Sequence, residues 1–159
     1  MSWKLCRWVL VGLFVSGAVA QDLLGERIRK IEDHKQNAYF AQGIFHNGDQ
    51  GGSSAIKALR HAKHQGQYER LVIDFNTSDI PRIYGHMSEA EQKLYLDFFK
   101  TKLLGPIKSF GKSEKVNGFN FFPVSTGQEM LSLEISFKKP VKIDVFYLLS
   151  PGRLVIDLE

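Results

Sequence analysis

The sequence predicts a mainly β protein, a β-sandwich of two small sheets with a short helix near its N-terminus. From residue 55 onward, apolar and polar residues alternate in run after run, as in strands with one buried and one wet face. Gly, Pro, Asn and Ser separate these runs, in the pattern of an antiparallel sandwich. The pentapeptide Arg-Leu-Val-Ile-Asp also stands twice, at 70–74 and at 153–157. Two related half-sheets would produce that repeat; so would chance, since half-buried strands favour Leu, Val and Ile.

The chain opens with a basic segment carrying Lys4 and Arg7, an apolar run from Trp8 to Val15, and the small residues Ser16 to Ala20. That order predicts a cleavable signal peptide over residues 1–20, cut between Ala20 and Gln21. The apolar run is shorter than the roughly 20 residues a membrane-spanning helix needs, so membrane contact is expected only through the transient signal. Cys6 is the one cysteine. The mature chain therefore has no thiol for disulfides, thiolate metal sites or nucleophilic catalysis. Removing Lys4 and Arg7 lowers the formal charge from +4 to +2, too small a surplus to suggest a nucleic-acid partner.

Between Asp22 and Lys35, Leu24, Ile28 and Ile31 recur at spacings of four and three, which predicts a short amphipathic helix. Tyr39-Phe40 and Ile44-Phe45 form apolar patches, and His46 to Ser54 is rich in Gly, Asn, Asp and Ser, a loop or domain boundary. Residues 21–54 thus read as helix plus flexible linker, ahead of a sandwich domain at 55–159.

Within that domain Ala55–His61 and Ile80–Tyr84 are expected short strands. Leu71, Ile73 and Phe75 share a face, as do Leu94, Leu96 and Phe98. The clearest strand is Leu131 to Phe137, where Leu131, Leu133, Ile135 and Phe137 alternate with Ser132, Glu134 and Ser136. Val141, Ile143, Val145 and Tyr147 make another, and Leu154, Ile156 and Leu158 the last. Ser88, Glu89 and Glu91 suggest a single helical turn. Leu103 to Asn120 holds Gly105-Pro106, Gly111 and Asn117-Gly118, which predicts a connection with little regular structure. Seven or eight strands follow.

Val141 to Leu158 reads Val-Lys-Ile-Asp-Val-Phe-Tyr-Leu-Leu-Ser-Pro-Gly-Arg-Leu-Val-Ile-Asp-Leu. This resembles the closing half of an AMIN domain, with its Ser-Pro turn and Arg-Leu-Val-Ile-Asp-Leu ending, and Ile56 to Phe75 resembles the opening strand pair. The resemblance spans Ala55 to Glu159. It implies a periplasmic β-sandwich that targets the cell envelope, as such modules do on cell-wall amidases and pilus secretins. The expected role is a non-catalytic module binding peptidoglycan; the alternative is a protein-interaction accessory of an envelope machine such as a type IV pilus secretin.

Arg70, Asp74, Arg153 and Asp157 lie opposite the apolar faces of their strands, placed to form cross-strand ion pairs or to meet a ligand. Tyr84 and Tyr95 offer planar rings of the kind that glycan binding uses. These six are the candidate ligand-binding residues. Tyr68 offers a ring as well, Tyr147 falls on an apolar face, and Phe119, Phe121 and Phe122 suit core or an exposed patch. Neither His-Glu-x-x-His nor Gly-x-Ser-x-Gly occurs, so no enzymatic activity and no cofactor are expected. His61 and His64, three apart in an extended chain, point to opposite faces and are expected at the surface. Gly111-Lys112-Ser113 lacks the earlier glycine of a phosphate-binding loop, Pro106 standing in its place. Asn76-Thr77-Ser78 fits a glycosylation sequon.

Overall fold

A computed structural model describes residues 28–49, 51–65, 68–125 and 129–159. The expected signal peptide, and residues 22–27 of the expected helix, lie outside them. Eleven strands run through the described residues: β1 (Ile28–Lys30), β2 (Gly43–His46), β3 (Ser54–Lys63), β4 (Glu69–Phe75), β5 (Ile83–Ser88), β6 (Lys93–Phe99), β7 (Thr101–Leu103), β8 (Val116–Ser125), β9 (Glu129–Phe137), β10 (Ile143–Leu148) and β11 (Arg153–Leu158). They form a six-stranded sheet, ordered β1-β2-β5-β6-β9-β8, and a five-stranded sheet, ordered β10-β11-β4-β3-β7. Pairing is antiparallel except for β1 with β2 and β3 with β7.

Period-two patterning sets what lies between the sheets. Leu71, Ile73 and Phe75 of β4 and Leu154, Ile156 and Leu158 of β11 face Leu94, Leu96 and Phe98 of β6 and Leu131, Leu133, Ile135 and Phe137 of β9, all buried in one core. The Phe75 and Phe98 rings meet edge to face at 5.9 Å. Each fully buried Leu, Ile or Phe stabilises the fold by roughly 1.5–3 kcal/mol.

The described part of the expected helix, residues 28–35, is not helical and opens with β1. Ile31 is 4 % exposed and Ile28 67 %, because residues three apart in an extended chain point oppositely; a helical stripe would have buried both. Parallel pairing of Ile28–Lys30 with Ile44–His46 supplies the backbone partners. The chain then crosses from the first sheet to the edge of the second, where Phe40 bridges Ile143.

Two further expectations change. Residues 89–92 are a hairpin turn between β5 and β6, not a helical turn, closed by Gln92 N–H on Glu89 O at 3.1 Å, with Ser88 Oγ accepting from Glu91 N–H. Residues 116–120, expected to be irregular, begin the ten-residue β8. Asn117-Gly118 is not a turn but a bulge, where the register slips between Val116 and Gly118. Pro123 is tolerated because β8 lies at a sheet edge.

Gly85 sits mid-strand opposite Phe45. A Cβ there would lie 2.1 Å from the Phe45 ring. The missing side chain makes room for Phe45, which is fully buried.

Candidate functional site

The six candidate residues divide between opposite outer faces of the sandwich. Arg70, Asp74, Arg153 and Asp157 lie on the outside of the five-stranded sheet, where β4 and β11 are neighbours and the two pentapeptides pair antiparallel with each other, centred on Val72 opposite Val155. Arg70 therefore faces Asp157, and Asp74 faces Arg153.

These symmetric partners behave differently. Arg70 donates to both Asp157 oxygens, at 2.6 and 2.8 Å. Lys35 reaches the same carboxylate at 2.7 Å from the crossing segment. Asp157 is fully buried, and Asp144 stands directly opposite it on β10, also buried, accepting from Asn37 N–H at 3.0 Å. Burial alone would raise the Asp157 carboxyl, but hydrogen bonds from Arg70 and Lys35 outweigh it and hold the group below its ordinary value. Asp74 instead takes a two-point bond from Arg60, at 2.5 and 2.8 Å, while Arg153 turns to Pro151 O at 3.4 Å. Lys35 also lies over the Tyr68 ring, 4.5 Å from its centre. Asp157 is thus held in a closed network.

Tyr84 and Tyr95 lie on the outside of the six-stranded sheet. Residues directly opposite in a ladder share a face, so the register lays out two rows there. One runs His46, Tyr84, Asp97, Ser132, Phe122; the next runs Ile44, His86, Tyr95, Glu134, Asn120. Tyr84 is 40 % exposed and Phe122 49 %. The His86 and Tyr95 rings stack at 6.2 Å, and Tyr95 donates to Glu91 at 2.9 Å. Burial and that bond push the Tyr95 phenol up. Ser132 donates to Asp97, and Lys93 pairs with Glu134 at 3.1 Å. In the first row Asp97 and Ser132 separate the rings of Tyr84 and Phe122, and in the second Glu134 and Asn120 follow the paired rings of His86 and Tyr95. Phe122 was read from the sequence as either core or surface; Phe119 and Phe121, on the other face of β8, pack against the core.

A third cluster was missed because Ser113 is 44 residues from Glu69 in the chain. Glu69, buried at the start of β4, accepts from Ser113 Oγ, from Glu114 N–H at 2.7 Å, and faces His61 Nε2 at 2.9 Å. His61 stacks on Phe110 at 5.1 Å. Its side chain is only 9 % exposed, which corrects the expected surface position; His64 is exposed and stacks on Tyr68. The order hydroxyl–carboxylate–imidazole is wrong for nucleophilic catalysis, where the imidazole must sit between. Ser113 Oγ also accepts from Val116 N–H and Lys115 N–H. The cluster pins the 104–115 loop to the sandwich. Among the described residues no group of three or more His, Asp or Glu is arranged to hold a metal ion.

Compared with protein-family models, curated proteins and solved structures, the chain matches none.

Proposed function

We propose that this chain is a non-catalytic module of the periplasmic cell envelope, of AMIN type, that binds peptidoglycan through the outer face of its six-stranded sheet. The observation carrying this reading is the pair of rows on that face, one with Asp97 and Ser132 between Tyr84 and Phe122, the other with Glu134 and Asn120 beside the paired rings of His86 and Tyr95. A sugar ring has apolar faces that lie on aromatic planes and a rim of hydroxyls that needs hydrogen-bond partners, and an aromatic side chain supplies a large rigid contact area for the first need. The export signal and the AMIN-like ending support the location. Arg70 and Asp157 act in this reading as framework, since their charges are already spent on each other.

Sedimentation with insoluble sacculi at low salt tests it. The mature chain should pellet with the sacculi, and a Tyr84→Ala/Tyr95→Ala variant should stay in the supernatant while keeping its melting temperature. Wild-type protein left in solution would end this reading.

A second reading, an accessory that docks on an envelope protein such as a pilus secretin, draws on β8. Its ten residues carry no charge, and among the described residues it pairs only with β9, leaving an edge to which an extended segment could add. Cross-linking in envelope extracts should then give one discrete adduct, lost on Phe122→Lys.

A further inference from the structure

A cleft of about 670 Å3 opens between the 107–113 loop and the start of β8, a volume in the range of small-ligand sites. Its apolar wall is made by Phe110 and Phe119, whose rings stack at 5.3 Å. Lys112 and Lys138 are its only charged lining residues among those described. A different cleft, lined by Lys30, His46, Asp49 and Asp79, mixes both signs. Glu114, two residues from Lys112, is engaged with Lys63, and Glu69, which bonds the neighbouring Ser113, is engaged with it and with His61. Lys138 is held in place by its bond to Ser113 O at 2.7 Å. Lys112 is exposed and makes no ion pair among the described residues. Gly111 and Gly118 leave backbone open to the cleft, with nothing near Gly111 and only Ser136 Oγ at 3.9 Å from a Cβ at Gly118. A positive rim over an aromatic floor, with close backbone approach, is complementary to one kind of molecule.

We propose that this cleft binds an amphipathic anion, its carboxylate or phosphate between Lys112 and Lys138 and a short apolar chain on Phe110 and Phe119. The site is not a phosphate-binding loop: Ser113, which such a loop would turn toward its ligand, is buried on Glu69. Nor does it involve the face carrying Tyr84 and Tyr95, so either proposal can fail without the other.

Titration of the mature chain with hexanoate, hexyl phosphate, hexanol and hexylamine, followed by amide NMR, tests it. Hexanoate or hexyl phosphate should shift the signals of Gly111, Lys112, Gly118 and Phe119, and bind at least about tenfold more tightly than hexanol or hexylamine, as a charge-assisted contact requires. Lys112→Gln should weaken the anion about tenfold and Lys112→Glu further, with the melting temperature unchanged. Competition by phosphatidylglycerol vesicles would identify a lipid headgroup as the source; competition only by soluble anions would identify a free one. Hexanol binding as well as the anions, shifts confined to another region, or indifference to Lys112→Glu would overturn the proposal.

Discussion

Arg70 and Asp157 stand directly opposite each other in the β4–β11 ladder and close a two-point ion pair over a carboxylate with no solvent exposure. Asp74 occupies the equivalent place in the other copy of the same pentapeptide, yet its partner Arg60 is largely exposed. Removing one partner of a buried pair costs up to about 3–5 kcal/mol, less at Asp157 because Lys35 still holds it, whereas an exposed pair contributes about 0–1 kcal/mol. Arg70→Ala should therefore lower the urea midpoint strongly, and Arg60→Ala should barely move it.

The same pair gives stability a pH dependence. Because the folded-state pKa of Asp157 is depressed by Arg70 and Lys35 against the opposing effect of burial, its contribution is present above the unfolded-chain value of about 3.9 and is lost as pH falls through the folded one. Glu69 behaves likewise: burial raises it, but bonds from Ser113, His61 and Glu114 N–H bring it below its ordinary value. Acid unfolding should steepen below about pH 4. In Asp157→Asn that steepening should shrink, and urea melts from pH 2.5 to 7 would measure it.

Lys35 ties the crossing segment to the second sheet through Asp157, with Asn37 N–H on Asp144 beside it. Lys35→Met keeps the apolar stem and removes the charge. We expect a loss of about 1–2 kcal/mol and, in hydrogen exchange, faster exchange at Asn37 and Phe40 than in the β6–β9 ladder.

Gly85 and Phe45 should couple in a double-mutant cycle. Gly85→Ala drives a Cβ into the Phe45 ring and should cost about 1–3 kcal/mol by overpacking. Once Phe45→Leu has removed the ring, Gly85→Ala should cost little or nothing. Equal costs in both backgrounds would mean the close approach does not limit stability.

Glu69 holds the 104–115 loop through Ser113 and Glu114 N–H. Glu69→Gln should loosen that hold, and trypsin should then cut at Lys108 and Lys112 faster than in the wild type, with the core still folded by circular dichroism.

Where the strand pattern was local, it was readable. Leu131 to Phe137 alternates without interruption and lies within Glu129–Phe137, and Leu154 to Leu158 lies within Arg153–Leu158. The β8 strand was hidden because Asn117-Gly118 and Pro123 carry the residue types of turns, and only their places opposite Ser136 and Leu131 show a bulge and an edge position. The charged faces of the two pentapeptides could be read, but not which aspartate would be sealed: that depends on Lys35, 122 residues from Asp157 in the chain. The Glu69–Ser113–His61 cluster had no sequence signal, since none of its spacings repeats a known pattern.

By itself, then, the sequence determined a mainly β fold and the inward set of side chains, because side-chain direction in a strand alternates with each residue and needs no knowledge of neighbours. Tertiary structure alone decided the neighbours. It made Ile28–Lys30 a strand by giving it β2 to pair with, placed the two pentapeptides against each other, put Tyr84 and Tyr95 on one face and Arg70 and Asp157 on the other, and buried one carboxylate fully while leaving its twin partly exposed. Pairing and burial are set by contacts between residues far apart in the chain, and those exist only once the two sheets have closed on their core.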